Sequence, residues 1–156
     1  MGEAAEKLPE EVGVTLLPPE AVLGLRGQIV ELLGKAIAED AAPIETADDV
    51  IEQSLDGRTQ IWLAHQGNEV LGVSTTIVVL HPRTKVVRVI YTAGGDLDRW
   101  QGALLDAYKA FARSQECSAL EWFAGRRGWT KRAKQVGAVP IGTLYRMGLE
   151  DGDGRQ

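Results

Sequence analysis

Apolar and polar positions change their period along the chain, and each change predicts a new element. Apolar residues recur every three or four positions from Val22 to Ala36, which predicts one amphipathic helix ending near Glu39. A second, shorter helix is predicted to begin after Thr46, whose hydroxyl can cap it. Ahead of both helices, residues 12–17 alternate loosely and predict a short strand.

The middle of the chain predicts three strands and a long helix. Residues 59–65, 70–80 and 85–92 are rich in β-branched and aromatic side chains, and short turns separate them. Strands joined in this way pair as an antiparallel meander. After Gly94-Gly95 the period changes from two to 3.6, which predicts a long helix from Leu97 to about Gln115.

The last third of the chain predicts a strand, a short helix and a final strand. Residues 119–124 are mostly apolar, and glycines and arginines interrupt the pattern directly after them. A short basic helix is predicted over Trp129 to Val136, with Gly137 as its C-terminal stop, and a final strand over Val139 to Leu149. Residues 150–156 have nothing apolar to bury and are expected to form a disordered tail.

Length, charge and cysteine content exclude several classes of protein. The 156 residues fit one globular domain that can build a core without disulfides or structural metal. The single cysteine, Cys117, excludes an intramolecular disulfide, and with only two histidines no metal site is expected. No apolar run approaches a membrane span and no signal peptide is recognisable, so we expect no membrane partner and a cytoplasmic location. The net charge of -5 makes nucleic-acid binding an unfavoured interpretation.

Basic side chains nevertheless cluster near the C-terminus of this acidic chain. The cluster consists of Arg126, Arg127, Lys131, Arg132 and Lys134. On a helix, Arg127, Lys131 and Lys134 share one face. Such a face can bind the phosphates of a coenzyme, an acidic partner or nucleic acid, or it can simply be solvated. Trp129 can stack on an adenine or anchor the short helix by packing.

The order of these elements, with the segment GRRGWTKRAKQVGAVPIGTLYRM near the C-terminus, resembles the GCN5-related N-acetyltransferase family. The resemblance spans residues 12–149. The segments YTAGGDLDRW and ALEWFAGRRGW further resemble small acetyltransferase-like proteins of tailed bacteriophages. The resemblance implies an α/β fold with a central mixed, mostly antiparallel sheet flanked by helices, in the order β-α-α-β-β-β-α-β-α-β. It also implies one domain over residues 12–149, after a flexible N-terminal segment of residues 1–11.

The same resemblance implies where a coenzyme and the catalytic groups lie. Acyl-coenzyme A would occupy a gap between the last strand of the meander and the next strand. The implied cofactor-binding residues are Val89, Ile90, Tyr91 and Thr92 along the pantetheine, Ala93, Gly94 and Gly95 at the pyrophosphate, and Arg126, Arg127 and Trp129. A helix N-terminus suits a pyrophosphate because it offers free N–H groups and partial positive charge. Tyr145 and Glu121, on the predicted strands beside the gap, are the expected groups for proton transfer.

The chain departs from the family pattern at three places. Arg99 and Gln101 stand where the family carries glycines of its phosphate-binding motif, and bulky side chains there can block a close phosphate approach. Ala133 stands where many members have a tyrosine proposed to protonate the leaving thiolate, and Arg126 replaces a common asparagine. Asp96, before the long helix, is expected to be an N-cap rather than a catalytic group. The sequence therefore leaves two interpretations of the protein's function.

The first interpretation is an N-acyltransferase that uses acetyl-CoA and an amine substrate. The alternative is a catalytically inactive phage protein, either a virion component or a host-interacting protein with a protein partner, located in the virion or the host cytoplasm. The sequence does not indicate the oligomeric state.

Overall fold

A computed structural model describes residues 11–40, 43–123 and 127–149. The chain divides into two compact units, Met1–Trp122 and Phe123–Gln156. The first unit contains β1 (Val12–Leu16), α1 (Pro19–Gly24), α2 (Arg26–Ala38), α3 (Ala47–Leu55), β2 (Gln60–Gln66), β3 (Glu69–Leu80), β4 (Lys85–Gly94), α4 (Leu97–Ser114) and β5 (Ala119–Trp122). The second contains α5 (Arg127–Gln135). A single domain over residues 12–149 stays a prediction, and residues 1–10 and 150–156, which include the predicted tail, lie outside the described residues.

The sheet confirms the predicted fold class. Its five strands lie in the order β1-β2-β3-β4-β5. β1 to β4 pair antiparallel with their neighbours, and β5 pairs parallel with β4. The fold is therefore a mixed α/β arrangement around a mostly antiparallel sheet, and the predicted meander is β2, β3 and β4.

The first predicted helix is two helices. The chain leaves helical geometry at Leu25, with φ -110° and ψ 15°, and α2 begins at the next residue. Gly24 and Gly27 flank this break, and each glycine weakens a helix interior by about 1 kcal/mol relative to alanine. The apolar stripe nevertheless continues across the break, because Val22 on α1 and Ile29 and Leu33 on α2 are all buried. The periodicity therefore predicts the buried face correctly, but it does not predict the break in the helix.

Two buried clusters form the core, and they pack with different helices. The first contains residues of α1, α2 and α3 with residues of β2, β3 and β4: Val22, Ile29, Leu33, Ile37, Ala47, Val50, Ile51, Ile61, Val73 and Ala93. The second contains residues of α4 with residues of β2 and β3: Trp62, Ala64, Leu71, Trp100, Leu104 and Tyr108. Side chains that alternate along a strand point to opposite faces of the sheet, so the two clusters mark its two covered faces.

The start of α3 is fixed by a capping box. The Thr46 hydroxyl accepts from the Asp49 N–H at 3.2 Å, and the Asp49 carboxylate accepts from the Thr46 N–H at 2.8 Å. This confirms the predicted cap. Since both residues are fixed, the position of the preceding residue, Glu45, relative to the helix is also set.

The prediction of a final strand over residues 139–149 is wrong. The described residues there form no regular secondary structure, and no strand ladder of the described sheet includes them. Their apolar side chains are exposed, Tyr145 at 88% and Leu149 at 94% of their surface. A strand is stable only where a neighbour completes its hydrogen bonds, and Pro140 has no N–H to give to a ladder. Alternation alone therefore did not suffice to form a strand.

Within the described part of the chain, no helix combines the length and the apolar character that crossing a membrane requires.

Candidate functional site

The parallel pairing between β4 and β5 ends before β4 itself ends. β5 pairs with β4 from Val86, opposite Ala119, to Val89, opposite Trp122. β4 then continues for five residues to Gly94. Residues 89–92, the predicted pantetheine-binding segment, are half-buried and begin where this pairing stops. That segment therefore lies at the end of the β4–β5 ladder, and its role in coenzyme binding stays a prediction.

A β-bulge lies in the same segment. Thr75 of β3 is opposite Tyr91, whereas Thr76 is opposite Val89, so Ile90 is an extra residue in β4. Such an extra residue disrupts the ladder locally. Two hydroxyls of β3 bond the backbone of Tyr91: its N–H donates to Thr75 Oγ1 at 3.2 Å, and its carbonyl accepts from Ser74 Oγ at 2.9 Å. Both β3 residues are fully buried, and these side-chain hydrogen bonds satisfy backbone groups of the bulge that the ladder leaves irregular.

The bulge changes the face of the sheet to which β4 presents its side chains. Residues two apart on a regular strand share a face. Val89 packs against the cluster on the α4 side, whereas Tyr91 packs against the cluster formed with α1, α2 and α3. The extra residue is the cause of this switch. It directs the Tyr91 hydroxyl to Glu45, whose Oε2 accepts from it at 2.8 Å.

A second tyrosine lies on the other face, in contact with the same strand segment. The Tyr108 hydroxyl of α4 forms a hydrogen bond with Ser74, which also bonds Thr92 Oγ1 at 3.2 Å. Burial raises the pKa of Tyr108 above its ordinary value, and the hydrogen bonds with Ser74 and Thr92 oppose that shift only in part. Tyr108 therefore stays protonated at neutral pH and serves to join α4 to the strands.

Sequence reasoning missed these buried polar groups. Ser74, Thr75 and Thr76 interrupt an otherwise apolar strand, and all three are fully buried. A run of three hydroxyl residues inside an apolar strand was the available indication of buried side-chain hydrogen bonds at this position. Glu45 gave no comparable indication, because it lies far from β4 in sequence.

The turn between β4 and α4 contains two glycines, Gly94 and Gly95, and only the first of them is required there. Gly94 has φ +134°, and a Cβ there would lie 2.5 Å from the Leu71 carbonyl oxygen. At Gly95 a Cβ would meet nothing within 4 Å. Trp100 fixes the turn, because its indole N–H donates to the Gly95 carbonyl at 2.9 Å while its ring lies over Gly72. Gly94 is thus required by packing, whereas Gly95 borders open space at the beginning of α4.

The first turn of α4 differs from expectation in its polar side chains. Asp96 occupies the N-cap position in left-handed geometry, with φ 56° and ψ 46°, but its side chain makes no capping hydrogen bond. Arg99, expected to obstruct phosphate binding, forms an ion pair with Glu69 of β3 at 3.7 Å. The Arg99 N–H of this turn donates to the Asp96 carbonyl at 2.9 Å. The earliest N–H groups of a helix generally lack partners within it, so this end of α4 can still offer donors to an anion. The negative charge of Asp98 in the same turn disfavours anion binding there.

Glu121, one of the two expected proton-transfer groups, forms an ion pair. It lies opposite Arg88 in the β4–β5 register, and its Oε1 accepts from Arg88 Nε at 2.7 Å. The two side chains are 23% and 31% exposed. If Glu121 transfers a proton, it therefore does so with a carboxylate that already bonds a guanidinium.

The other predicted site residues lie in the second unit or outside the described residues. Arg127 and Trp129 are in the first turns of α5, and Arg126 lies outside the described residues. Tyr145 is in the exposed segment that forms no strand. Roles in coenzyme binding or proton transfer stay predictions for these four residues. No three His, Cys, Asp or Glu side chains come together as a possible metal site in residues 11–40, 43–123 and 127–149.

Comparison with known proteins gives a structural likeness at low sequence identity. No family model matches the chain, and no curated protein matches it. An aminoglycoside acetyltransferase from an uncultured soil metagenomic sample, solved with sisomicin, is similar with a TM-score of 0.69 and 13% identity, over 89% of this chain and 97% of that one. Ribosomal-protein-alanine N-acetyltransferase from Brucella melitensis biovar Abortus 2308 is similar with a TM-score of 0.66 and 17% identity, over 88% and 99%. A GNAT family acetyltransferase from Staphylococcus aureus is similar with a TM-score of 0.62 and 15% identity, over 89% and 99%. The chain therefore has the fold of GNAT acetyltransferases.

Proposed function

We propose that the protein is an acyl-CoA-dependent N-acyltransferase that transfers an acetyl group to an amine. The observation that carries this proposal is the end of the β4–β5 ladder at Val89, with the bulge at Ile90 directly beyond it. It occurs in a fold shared with acetyltransferases along nearly the whole chain. An extended arm that carries amide groups can pair with strand backbone where the neighbouring strand has ended.

In this proposal the coenzyme follows β4 towards α4. The pantetheine lies along Val89 to Thr92, and the pyrophosphate lies at residues 93–95 with the first turn of α4. A pyrophosphate there meets helix N–H groups and the positive end of the helix dipole. The open space at Gly95 and the ion pair that engages Arg99 support a close approach of phosphate to backbone. Roles for Arg126, Arg127 and Trp129 in coenzyme binding stay predictions from the sequence.

The acceptor amine must reach the thioester carbon with a free lone pair. Attack forms a C–N bond and breaks the C–S bond, so one proton leaves the nitrogen and the departing thiolate gains one. Tyr145 and Glu121 remain the proposed groups for these proton transfers. The relatives in fold act on amines according to their names, an aminoglycoside in one case and a ribosomal-protein alanine in another. These names support an amine as the acceptor here.

Calorimetric titration with acetyl-CoA tests the proposal. We expect saturable binding at one site, and we expect Gly95→Trp to weaken it about tenfold or more, because the indole would displace phosphate from charge-assisted hydrogen bonds. Gly34→Trp is the matched control: Gly34 lies on α2, and a Cβ there also meets nothing within 4 Å. The control is expected to bind as the wild type does. Absence of binding at millimolar acetyl-CoA would refute the proposal.

The alternative of an inactive phage virion or host-interacting protein gains no support from the fold. The three structures named above are described as acetyltransferases. Acetyl transfer that is present in the wild type and lost in Gly95→Trp would count directly against an inactive protein.

A further inference from the structure

A half-buried carboxylate lies beside β4, held by neutral groups. Glu45 Oε2 accepts from the Tyr91 hydroxyl at 2.8 Å, and Oε1 accepts from the Gln53 side-chain amide at 3.1 Å. The Gln53 carbonyl oxygen in turn accepts from the buried Thr59 hydroxyl at 3.1 Å. These groups orient the carboxylate but leave its charge uncompensated, because a tyrosine hydroxyl and an amide carry no net charge.

No cation of the described residues forms an ion pair with Glu45. Arg26 of α2 pairs instead with Asp48, at 2.7 Å. From Ala36 to Gly57 the sequence contains no Lys or Arg and seven acidic residues: Glu39, Asp40, Glu45, Asp48, Asp49, Glu52 and Asp56. A concentration of one charge sign raises the local concentration of oppositely charged solutes. Arg58 pairs with Asp56 at 2.8 Å, as Arg26 does with Asp48, and this part of the protein stays net negative after both pairs, so it attracts cations.

Glu45 is also connected to the proposed acyl site. Tyr91 belongs to the β4 segment along which the pantetheine is proposed to lie, and the bulge directs its hydroxyl to the face where Glu45 is found. A group bound at Glu45 would thus be one side chain away from β4. The opposite face at this position is occupied by the buried contact of Thr92, Ser74 and Tyr108.

We propose that Glu45, positioned by Tyr91 and Gln53, binds a positively charged group of the acceptor, so that the substrates are amines with a second cationic centre. This inference rests on the proposed acyltransferase function. A carboxylate has about four lone-pair positions, of which the two described hydrogen bonds use two. An ammonium can bond the remaining positions, and the partial exposure of Glu45 leaves them within its reach.

Binding of a simple diamine tests the subsite without coenzyme. The probe is cadaverine, followed by ligand-observed NMR, and the matched neutral ligand is 1,5-pentanediol, which has the same carbon chain. We expect the wild type to bind cadaverine at least about tenfold more tightly than the diol, because only the ammonium forms a charge-assisted hydrogen bond with the carboxylate. Equal binding of the two ligands would overturn the proposal.

Three variants distinguish specific binding at Glu45 from the general electrostatic attraction of the acidic segment. We expect Glu45→Gln to weaken cadaverine binding about tenfold or more. Glu52→Gln removes the same charge from an exposed residue of α3 and is expected to change binding less than about twofold, because salt screens exposed charges. Tyr91→Phe keeps the ring and is expected to weaken binding by an intermediate factor, since only the orientation of Glu45 is lost. Equal losses of affinity in the Glu45→Gln and Glu52→Gln variants would overturn the proposal.

A transfer assay gives a second readout. With acetyl-CoA, cadaverine is expected to have a higher kcat/KM than 5-amino-1-pentanol, which has the same attacking amine but no second cation, and Glu45→Gln is expected to abolish this preference. Failure to bind acetyl-CoA would refute the acyltransferase function and leave the diamine measurement to decide on the subsite. Loss of diamine selectivity with intact acetyl-CoA binding would refute the subsite alone.

Discussion

Replacing Gly94 by alanine is expected to destabilise the protein, because a side chain at this position has no room. The φ of +134° at Gly94 lies in a region that L-residues rarely adopt. The added Cβ would lie 2.5 Å from the carbonyl oxygen of Leu71 and 2.6 Å from the Cα of Gly72. Both are backbone atoms of β3, so relief requires the strands to move apart rather than a side chain to rotate.

The magnitude follows from three contributions. A strained backbone conformation costs about 1–3 kcal/mol, and overpacking costs about another 1–3 kcal/mol. Alanine also restricts the unfolded chain, which offsets about 0.4–1 kcal/mol of that loss. The expected net decrease in the free energy of unfolding is about 1–5.6 kcal/mol. For a chain of this length it corresponds to a fall in Tm of about 2–20 °C.

Urea unfolding followed by circular dichroism measures the effect, with Gly95→Ala as control. The adjacent glycine has no neighbour within 4 Å of its ideal Cβ, so this control is expected to lie within about 0.5 kcal/mol of the wild type. The reasoning fails if the two alanine proteins unfold at the same urea concentration. It also fails if the m-value of Gly94→Ala changes while the midpoint does not, since the unfolded state would then be the cause.

Two further predictions concern buried and paired ionisable groups. Because burial raises the pKa of Tyr108 from its ordinary value of 10.0, the unfolded chain releases this proton first, and the free energy of unfolding should fall as the pH rises above 10. Above pH 10 this fall should steepen towards about 1.4 kcal/mol per pH unit more than in Tyr108→Phe, measured by urea unfolding between about pH 10 and 12, and parallel slopes would contradict the burial of the phenol. A double-mutant cycle with Arg88→Met and Glu121→Gln should give a coupling energy of about 0.5–1 kcal/mol for this partly exposed ion pair, whereas a value near zero would show that the pair does not stabilise the fold.

Local patterns were sufficient for most elements of the fold. The cap by the Thr46 hydroxyl, the meander and the amphipathic face of α4 are each determined by residues close together in sequence, and all three were predicted. The break at Leu25 and the missing strand over residues 139–149 were not. In both cases the apolar pattern is present. Continuity of a helix, however, depends on the backbone geometry at each residue, and a strand forms only beside a neighbouring strand that completes its hydrogen bonds.

In the candidate site, the β4–β5 pairing ends at Val89. The resemblance in element order predicts the coenzyme at residues 89–95, and this placement stays a prediction. The resemblance could not place Glu45, which is 46 residues from Tyr91 in sequence. The residue type and position of Asp96 also predicted a capping role that its side chain does not perform.

By itself the sequence determined most of the helical and strand segments of the first unit, the faces that its helices bury, and that acidic residues crowd the segment from Ala36 to Gly57. These properties are local, because they follow from propensity, periodicity and composition. Only the tertiary structure decided that Ile90 is an extra residue in β4, that Tyr91 therefore points to the opposite face from Val89, and that its hydroxyl meets Glu45. A bulge depends on how two strands pair, and a contact between distant residues depends on the packing of helices on the sheet. Neither is encoded in any short stretch of the chain.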